Sequence, residues 1–383
     1  MGFYVRINSR GSLVTSITQG FSLVKNISEK EIVMEKIRLG LIGCGKMMAS
    51  HVVGVKYVDN VEIVSVCDLI RERAEEVRDA LGNNPKVYTD YREMVDDIDA
   101  IMIALPHDLH FECGMFFAFH NKHILMEKPL CNTEEECLTL IEECEKRNLK
   151  LMCAYPVPFW RGIVKLKELV DSGEYGEIMQ MSIWTEQLTV VDIINRPWGA
   201  SARIGGGQLF SHGCHYIDLL LRFLGEPIEG AHIGTRNGTP WLLREGTSAL
   251  VIKFKNGAIG YHGATWGARG SRLSYDFQIM TEKGLLDYEH ASGEIRFYNG
   301  NGEHKPEGGA ERQQYSVIWK REEQLGKATQ YEIRHFVDCI LNDKKPMTDG
   351  RSALQSLRVI WALYNAEKNH MLADLRGLGL ENC

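Results

Sequence analysis

A short glycine-rich turn, Gly-Cys-Gly-Lys-Met-Met, begins at Gly43 and joins an apolar segment to a helical pattern. Gly43 permits a tight turn, and Gly45 lets a phosphate group come close to the backbone. The helix that begins at Lys46 and Met47 supplies N–H donors for an anion. Met48 stands where the third glycine of a dinucleotide-binding turn is usual. We therefore predict that Gly43, Gly45, Lys46 and Met47 bind the pyrophosphate of a dinucleotide.

Asp68 follows the second apolar segment, Val61–Cys67, where an acidic side chain can bind the ribose hydroxyls of NAD. The same carboxylate would repel the additional phosphate of NADP, so NAD is the predicted cofactor. Arg71 and Arg73 could instead hold that phosphate, but the helical pattern favours an exposed position for both.

The carboxyl ends of the next two apolar segments carry Pro106, His107 and His110, and then Glu127 and Lys128. Ligands bind at this edge of an open parallel sheet, so all five residues are predicted to contact the cofactor. A lysine there can take the proton of an alcohol while a hydride leaves the carbon, and we predict that Lys128 is catalytic. The alternative interpretation is an ordinary surface lysine.

Three glycines, Gly205-Gly206-Gly207, lead into a helix that is predicted to begin near Ser211. Ser211 and His215 share one face of such a helix, whereas His212 is turned by about 100° from Ser211. We predict that His215 is catalytic and that Ser211 and His212 bind substrate. A metal site built from the two histidines lacks a third ligand with diagnostic spacing, so no metal is predicted.

Short β-rich segments alternate with amphipathic helical patterns from Lys36 to Tyr155, which is typical of a parallel sheet with crossover helices. The predicted strands are 37–42, 61–67, 87–89, 100–105, 123–127 and 149–154. Thr133-Glu134-Glu135-Glu136 indicates a capping box at the start of a helix.

After Tyr155 the pattern changes to helices and strands joined by turns such as Asn256-Gly257, and two helices near 329–341 and 351–369 follow. The predicted fold class is α/β. A dinucleotide-binding domain with a doubly wound parallel sheet spans 34–154, and an α+β substrate domain with an open, mostly antiparallel sheet spans 155–383.

The formal net charge of −7 argues against nucleic acid or an anionic membrane as a partner, and no apolar run is long enough for a transmembrane helix. The ten cysteines show no Cys-x-x-Cys spacing, which predicts reduced core thiols in a cytoplasmic protein. Residues 1–33 have no acidic residue before Glu29. They are interpreted either as a transit peptide or, preferably, as an over-extended start before Met34.

Taken in order, five motifs resemble the Gfo/Idh/MocA oxidoreductase family: Gly-Leu-Ile-Gly-Cys-Gly-Lys at 40–46, Val-Cys-Asp at 66–68, Leu-Pro-His-Asp-Leu-His at 105–110, Glu-Lys-Pro at 127–129 and Gly-Gly-Gly…His-Tyr-Ile-Asp at 205–218. The resemblance implies a Rossmann domain and an NAD(P)-dependent dehydrogenase acting on CH–OH groups, with Lys128 at the nicotinamide. It also implies a sugar, glycoside or cyclitol substrate and a homo-oligomer, a dimer, tetramer or hexamer. Tyr155 and Trp198 complete the predicted substrate-binding residues.

Ser211 departs from this family, in which an aspartate often stands four residues before the histidine. Without that carboxylate we expect a pKa of His215 close to its ordinary value. Two other functions stay open: a glycosidase that uses bound NAD for transient oxidation and elimination, and a non-catalytic regulator that binds NAD and a sugar. The presence of Lys128 and His215 favours an enzyme over a regulator.

Overall fold

The computed structural model describes residues 36–189, 205–299, 314–322 and 327–379. The strands of its first sheet are β1 (Ile37–Ile42), β2 (Val61–Cys67), β3 (Lys86–Tyr88), β4 (Ala100–Ile103), β5 (His123–Glu127) and β6 (Leu151–Ala154). The connecting helices are α1 (Lys46–Val55), α2 (Arg71–Leu81), α3 (His110–Phe119) and α4 (Glu134–Lys146). All six strands are parallel, in the order β3-β2-β1-β4-β5-β6. The order reverses between β1 and β4, and ligands bind at such a point.

The predicted bounds of β1, β2 and β5 are confirmed, whereas β4 and β6 are shorter than predicted. β4 ends at Ile103, and the two residues that follow it, Ala104 and Leu105, border a cavity. The capping box is confirmed, since Thr133 Oγ1 accepts a hydrogen bond from the Glu136 backbone and Glu136 accepts one from the Thr133 backbone.

A nine-stranded sheet forms the second half of the structure. Its strands are β7 (Ile178–Glu186), β8 (Pro227–Thr235), β9 (Thr247–Phe254), β10 (Ile259–Thr265), β11 (Tyr275–Thr281), β12 (Gly284–Glu289), β13 (Glu294–Asn299), β14 (Ser316–Lys320) and β15 (Ala373–Asp374). The helices are α5 (Arg161–Asp171), α6 (Cys214–Leu224), α7 (Thr329–Leu341) and α8 (Gly350–Lys368). The order is β14-β13-β12-β11-β7-β10-β9-β8-β15. Only β7 and β10 pair in parallel among these strands, so the predicted mostly antiparallel sheet is confirmed.

Helix α7 packs against α1, the helix that follows the glycine-rich turn. Thr329 Oγ1 donates to the Ser50 carbonyl oxygen at 3.0 Å, and the Arg334 guanidinium donates to the Tyr57 carbonyl oxygen at 2.6 Å. Gly54 makes this close approach possible, because a Cβ there would lie 2.2 Å from Thr329 Oγ1. A helix from the last part of the chain therefore packs against the helix that follows the glycine-rich turn.

Every cysteine in the described part of the chain is buried and free, which agrees with the prediction of core thiols. No helix among the described residues is long and apolar enough to cross a membrane.

Candidate active site

The glycine-rich turn lies between β1 and α1. Gly43 has a φ of +84°, and a Cβ there would lie 2.4 Å from the Ala104 carbonyl oxygen, so the position requires glycine. At Gly45, in contrast, a Cβ would meet nothing within 4 Å. Helix α1 has no side-chain N-cap, so its first N–H groups are not used by a capping residue. The turn therefore offers open space and backbone donors that fit the pyrophosphate of a dinucleotide.

The Asp68 carboxylate is held in place by two backbone donors. Its Oδ2 accepts from the Cys44 N–H at 2.9 Å, and its Oδ1 accepts from the Ile70 N–H at 2.9 Å. Each oxygen keeps a second lone pair, so the carboxylate can still accept from ribose hydroxyls. Arg71 pairs with Glu75 at 3.1 Å, while Arg73 is exposed and borders the same cavity as Asp68.

A cavity of about 1930 Å³ extends from this turn to the start of α6. Most of the residues predicted to bind the cofactor line it: Gly43, Gly45, Lys46, Met47, Asp68, Pro106, His107, Glu127 and Lys128. Ser211, His212 and His215 line it as well. One cavity thus brings together the predicted phosphate turn, the lysine and both histidines.

Lys128 follows directly after β5, and its bond to Pro129 is cis. The Lys128 Nζ donates to the Ser211 carbonyl oxygen at 2.7 Å, which joins the first sheet to the segment before α6. The neighbouring Glu127 is buried and lies 2.7 Å from His51 Nε2 through its Oε1, while its Oε2 accepts from the Lys128 N–H. Burial acts to raise the pKa of Glu127, but the hydrogen bond from His51 and the positive charges near the carboxylate lower it, so Glu127 is ionised.

The segment around Ser211 differs from the predicted α-helical start. Leu209–Gly213 forms a π-helical turn, and α6 begins only at Cys214. The α-helical rotation of about 100° per residue does not apply to such a turn. The His212 and His215 rings lie 5.7 Å apart, and both residues line the cavity.

The two histidines are held neutral by their surroundings. Burial, followed by the charge of Lys128, lowers the pKa of both His212 and His215 well below the ordinary histidine value. The expectation of a nearly ordinary pKa for His215 was therefore wrong, because the sequence did not reveal how completely the ring is enclosed. Ser211 Oγ and His215 Nδ1 are buried and have no hydrogen-bond partner among the described residues.

Two predicted site residues do not line the cavity. His110 is buried, with Nδ1 at 2.8 Å from the Pro129 carbonyl oxygen and Nε2 at 2.9 Å from the Leu105 carbonyl oxygen. It connects the loops after β4 and β5, so its predicted cofactor contact is corrected to a structural role. Tyr155 is also buried, and its ring packs edge-on against the His215 ring with the centroids 5.2 Å apart. The structure therefore does not support the predicted contact of Tyr155 with the substrate. Trp198 lies in 190–204, outside the described residues.

The cavity also has residues that the sequence did not single out. Aromatic side chains near His212 are among the residues that line the cavity: Trp160, Trp266, Tyr275 and His290. Trp160 and His290 stack with ring centroids 4.1 Å apart. Lys327, whose Nζ lies 3.2 Å from Met47 Sδ, and Glu332 reach the cavity from α7 or just before it. Lys327 and Glu332 are far from the motifs along the chain, so no local sequence pattern indicated that they reach the cavity.

Four features together define a nicotinamide-dependent oxidoreductase with a Rossmann domain. They are the parallel sheet, the glycine-rich turn after β1, the acidic residue after β2 and the lysine after β5. Residues 37–155 match the oxidoreductase family with an NAD-binding Rossmann fold, and residues 163–287 match the GFO/IDH/MocA C-terminal domain. The chain belongs to the Gfo/Idh/MocA oxidoreductase family, and NAD is its cofactor.

Relatives with different printed functions resemble parts of the chain. A myo-inositol 2-dehydrogenase of Thermotoga maritima is 26% identical over 235 residues, which cover 58% of this chain and 67% of that protein. A glycosyl hydrolase family 109 protein of Shewanella sp. is 30% identical over 186 residues, which cover 46% of this chain and 40% of that protein. The structure of a levoglucosan dehydrogenase in complex with NADH has a TM-score of 0.78 at 20% identity and covers 89% of this chain and 99% of that chain.

Proposed function

We propose that the protein is an NAD-dependent dehydrogenase that transfers a hydride between the nicotinamide and a ring hydroxyl group of a sugar, glycoside or cyclitol. This proposal rests on one observation: the Gly43 turn lines the same cavity as Lys128, His212 and His215. A proton acceptor and a dinucleotide-binding turn in one cavity are what oxidation of an alcohol requires.

Lys128 and His215 have different roles at the substrate hydroxyl group. Bound NAD supplies the acceptor for the hydride that leaves the hydroxyl-bearing carbon. In its uncharged form Lys128 takes the hydroxyl proton as the C–H bond breaks, and the resulting ammonium group returns this proton in the reverse reaction. Neutral His215 has one nitrogen that accepts and one that donates a hydrogen bond, so it can orient the same hydroxyl group.

The aromatic side of the cavity favours a carbohydrate or cyclitol. Trp160, Tyr275 and Trp266 offer flat apolar surfaces for the C–H faces of a ring. Ser211 Oγ and His215 Nδ1, which are buried without partners among the described residues, supply polar groups for its hydroxyls. The inositol dehydrogenase and levoglucosan dehydrogenase relatives support the same substrate class.

We further propose that the protein works in the cytoplasm as a homo-oligomer. The buried free thiols fit a reducing compartment. The strand pairing places Ile233, Val251 and Met280 on one face of the nine-stranded sheet, and these side chains are 74%, 44% and 42% exposed. A sheet face with exposed apolar side chains is a suitable contact surface for a second copy. Light scattering after size exclusion tests this assembly.

The NAD-dependent glycosidase is the second candidate, because the Shewanella relative carries a glycosyl hydrolase name. The test of both functions mixes the purified protein and NAD with a panel of polyols, free sugars and chromogenic glycosides. A dehydrogenase forms NADH in step with substrate consumption. A glycosidase releases the aglycone without net NADH, and a protein that does neither while binding both ligands is a regulator.

A further inference from the structure

We propose that Glu332 is a positioning residue, which holds the catalytic Lys128 in place through His51 and Glu127. This inference rests on the proposed dehydrogenase function, and it assigns a role to three residues that the hydride transfer described above does not use.

The three side chains come from three different elements. Glu332 lies on α7, His51 on α1, and Glu127 at the end of β5. His51 Nε2 lies 2.7 Å from Glu127 Oε1, and His51 Nδ1 lies 3.6 Å from Glu332 Oε1. All three residues are buried, and all three border the cavity. The imidazole thus lies between two carboxyl groups.

The hydrogen-bonding groups of this cluster complement each other. His51 Nδ1 and both oxygens of Glu332 have no hydrogen-bond partner among the described residues, although all three atoms are buried. Leaving such atoms unpaired is unfavourable. Since His51 Nδ1 and Glu332 Oε1 already face each other, a small side-chain movement would form a hydrogen bond between them.

One arrangement of protons satisfies the whole cluster. Burial, followed by the charge of Glu127, raises the pKa of Glu332 well above its ordinary value, so Glu332 is a neutral carboxylic acid. Its O–H can donate to His51 Nδ1, and His51 Nε2–H then donates to the Glu127 carboxylate. The other oxygen of Glu127 accepts from the Lys128 N–H at 3.1 Å. The chain of bonds ends on the backbone of Lys128.

The docking of α7 on α1 keeps Glu332 at this position. Thr329 Oγ1 bonds the Ser50 carbonyl oxygen one helical turn before Glu332, and Arg334 bonds the Tyr57 carbonyl oxygen just after it. Arg334 is exposed and does not border the cavity, so it contributes to docking alone. This difference supplies a matched control for Glu332.

The first experiment compares E332Q, E332L and R334A in steady-state kinetics with the substrate found for the wild type. A neutral glutamine still donates to His51, so E332Q is expected to keep kcat within about threefold, whereas E332L loses about tenfold or more. R334A removes a docking contact and is expected to leave kcat nearly unchanged while lowering Tm. Equal losses in E332Q and E332L would overturn the proposal. A rise of KM for NAD in place of the loss in kcat would also overturn it, since Glu332 would then contact the cofactor.

The second experiment needs no substrate and therefore separates this proposal from the proposed function. In ¹⁵N-histidine-labelled protein, the His51 signal is assigned from its absence in H51Q. Protonation at Nε2 alone is expected in the wild type, and this preference is expected to persist in E332Q and weaken in E332L. A doubly protonated His51, or a signal that E332L does not change, would overturn the proposal even if the dehydrogenase activity is found.

Discussion

Lys128 Nζ lies 2.7 Å from the main-chain carbonyl oxygen of Ser211, which is 83 residues further along the chain. The contact joins the end of β5 to the π-helical turn that carries Ser211 and His212. Lys128 is consequently placed beside both imidazoles, and its charge contributes to their lowered pKa values. The proton-transfer group and the neutral histidines are therefore coupled in one site.

Replacing Lys128 with alanine is expected to lower kcat by about a hundredfold or more, the usual contribution of a positioned acid or base. NAD binding should persist, because the Gly43 turn and Asp68 remain. Steady-state kinetics and calorimetry with NAD measure the two effects. Lys165→Ala is the control, since Lys165 is a half-buried residue of α5 that does not line the cavity and forms its one ion pair among the described residues with Glu168. Near-normal turnover of Lys128→Ala would remove Lys128 from the mechanism.

Asp68 is expected to make the protein prefer NAD over NADP by about 1–3 kcal/mol, the scale of one close uncompensated charge interaction. Asp68→Ser should reduce this preference, because it removes the repelling carboxylate while Arg73 remains beside the cavity. Calorimetric titration of both proteins with each cofactor gives the difference. Tighter binding of NADP than NAD by the wild type would contradict the assignment of Asp68.

Ser211→Asp is expected to move the acidic limb of the pH–rate profile to higher pH. His215 must be neutral to orient the hydroxyl, so activity is lost as the pH falls through the pKa of His215. A carboxylate near His215 stabilises the protonated ring and raises this pKa. Ser211→Asn, which adds bulk without charge, is the control. An unchanged limb, or a larger loss from His212→Ala than from His215→Ala, would show that Ser211 and His215 do not act together.

Gly54→Ala is expected to destabilise the protein by about 1–3 kcal/mol, as overpacking of a close contact does. The added Cβ would lie 2.2 Å from Thr329 Oγ1 and 2.8 Å from the Gln330 nitrogen, so α7 must move away from α1. Gly270→Ala is the control, because a Cβ there would meet nothing within 4 Å. Chemical unfolding measures both variants, and equal midpoints would disprove the close α1–α7 contact.

A shortened protein that begins at Met34 is expected to keep the Tm and kcat of the full chain. The first strand begins at Ile37, and the site residues discussed above all follow it. Thermal unfolding and turnover of the two proteins provide the comparison. A loss of either property would show that residues 1–33 contribute to the fold or the site.

Much of the first sheet could be predicted from the sequence because its signals are local. Apolar runs set the strands β1, β2 and β5, and Thr133 and Glu136 marked the start of α4. Gly43, Asp68 and Lys128 could be assigned to one edge of the sheet because the carboxyl ends of parallel strands meet there. For residues at the carboxyl ends of parallel strands, the position along the sequence is enough to predict that they lie close together.

The sequence by itself therefore determined the parallel sheet, its dinucleotide turn and the family of the chain. The tertiary structure alone decided the helical phase around Ser211, the burial of His110 and Tyr155, and the meeting of His51, Glu127 and Glu332. Ser211 and His215 are spaced along the chain as in an α-helix. The π-helical turn, however, changes which side chains line the same part of the cavity. The pKa values of the histidines depend on enclosure by distant segments, and no local pattern records that desolvation.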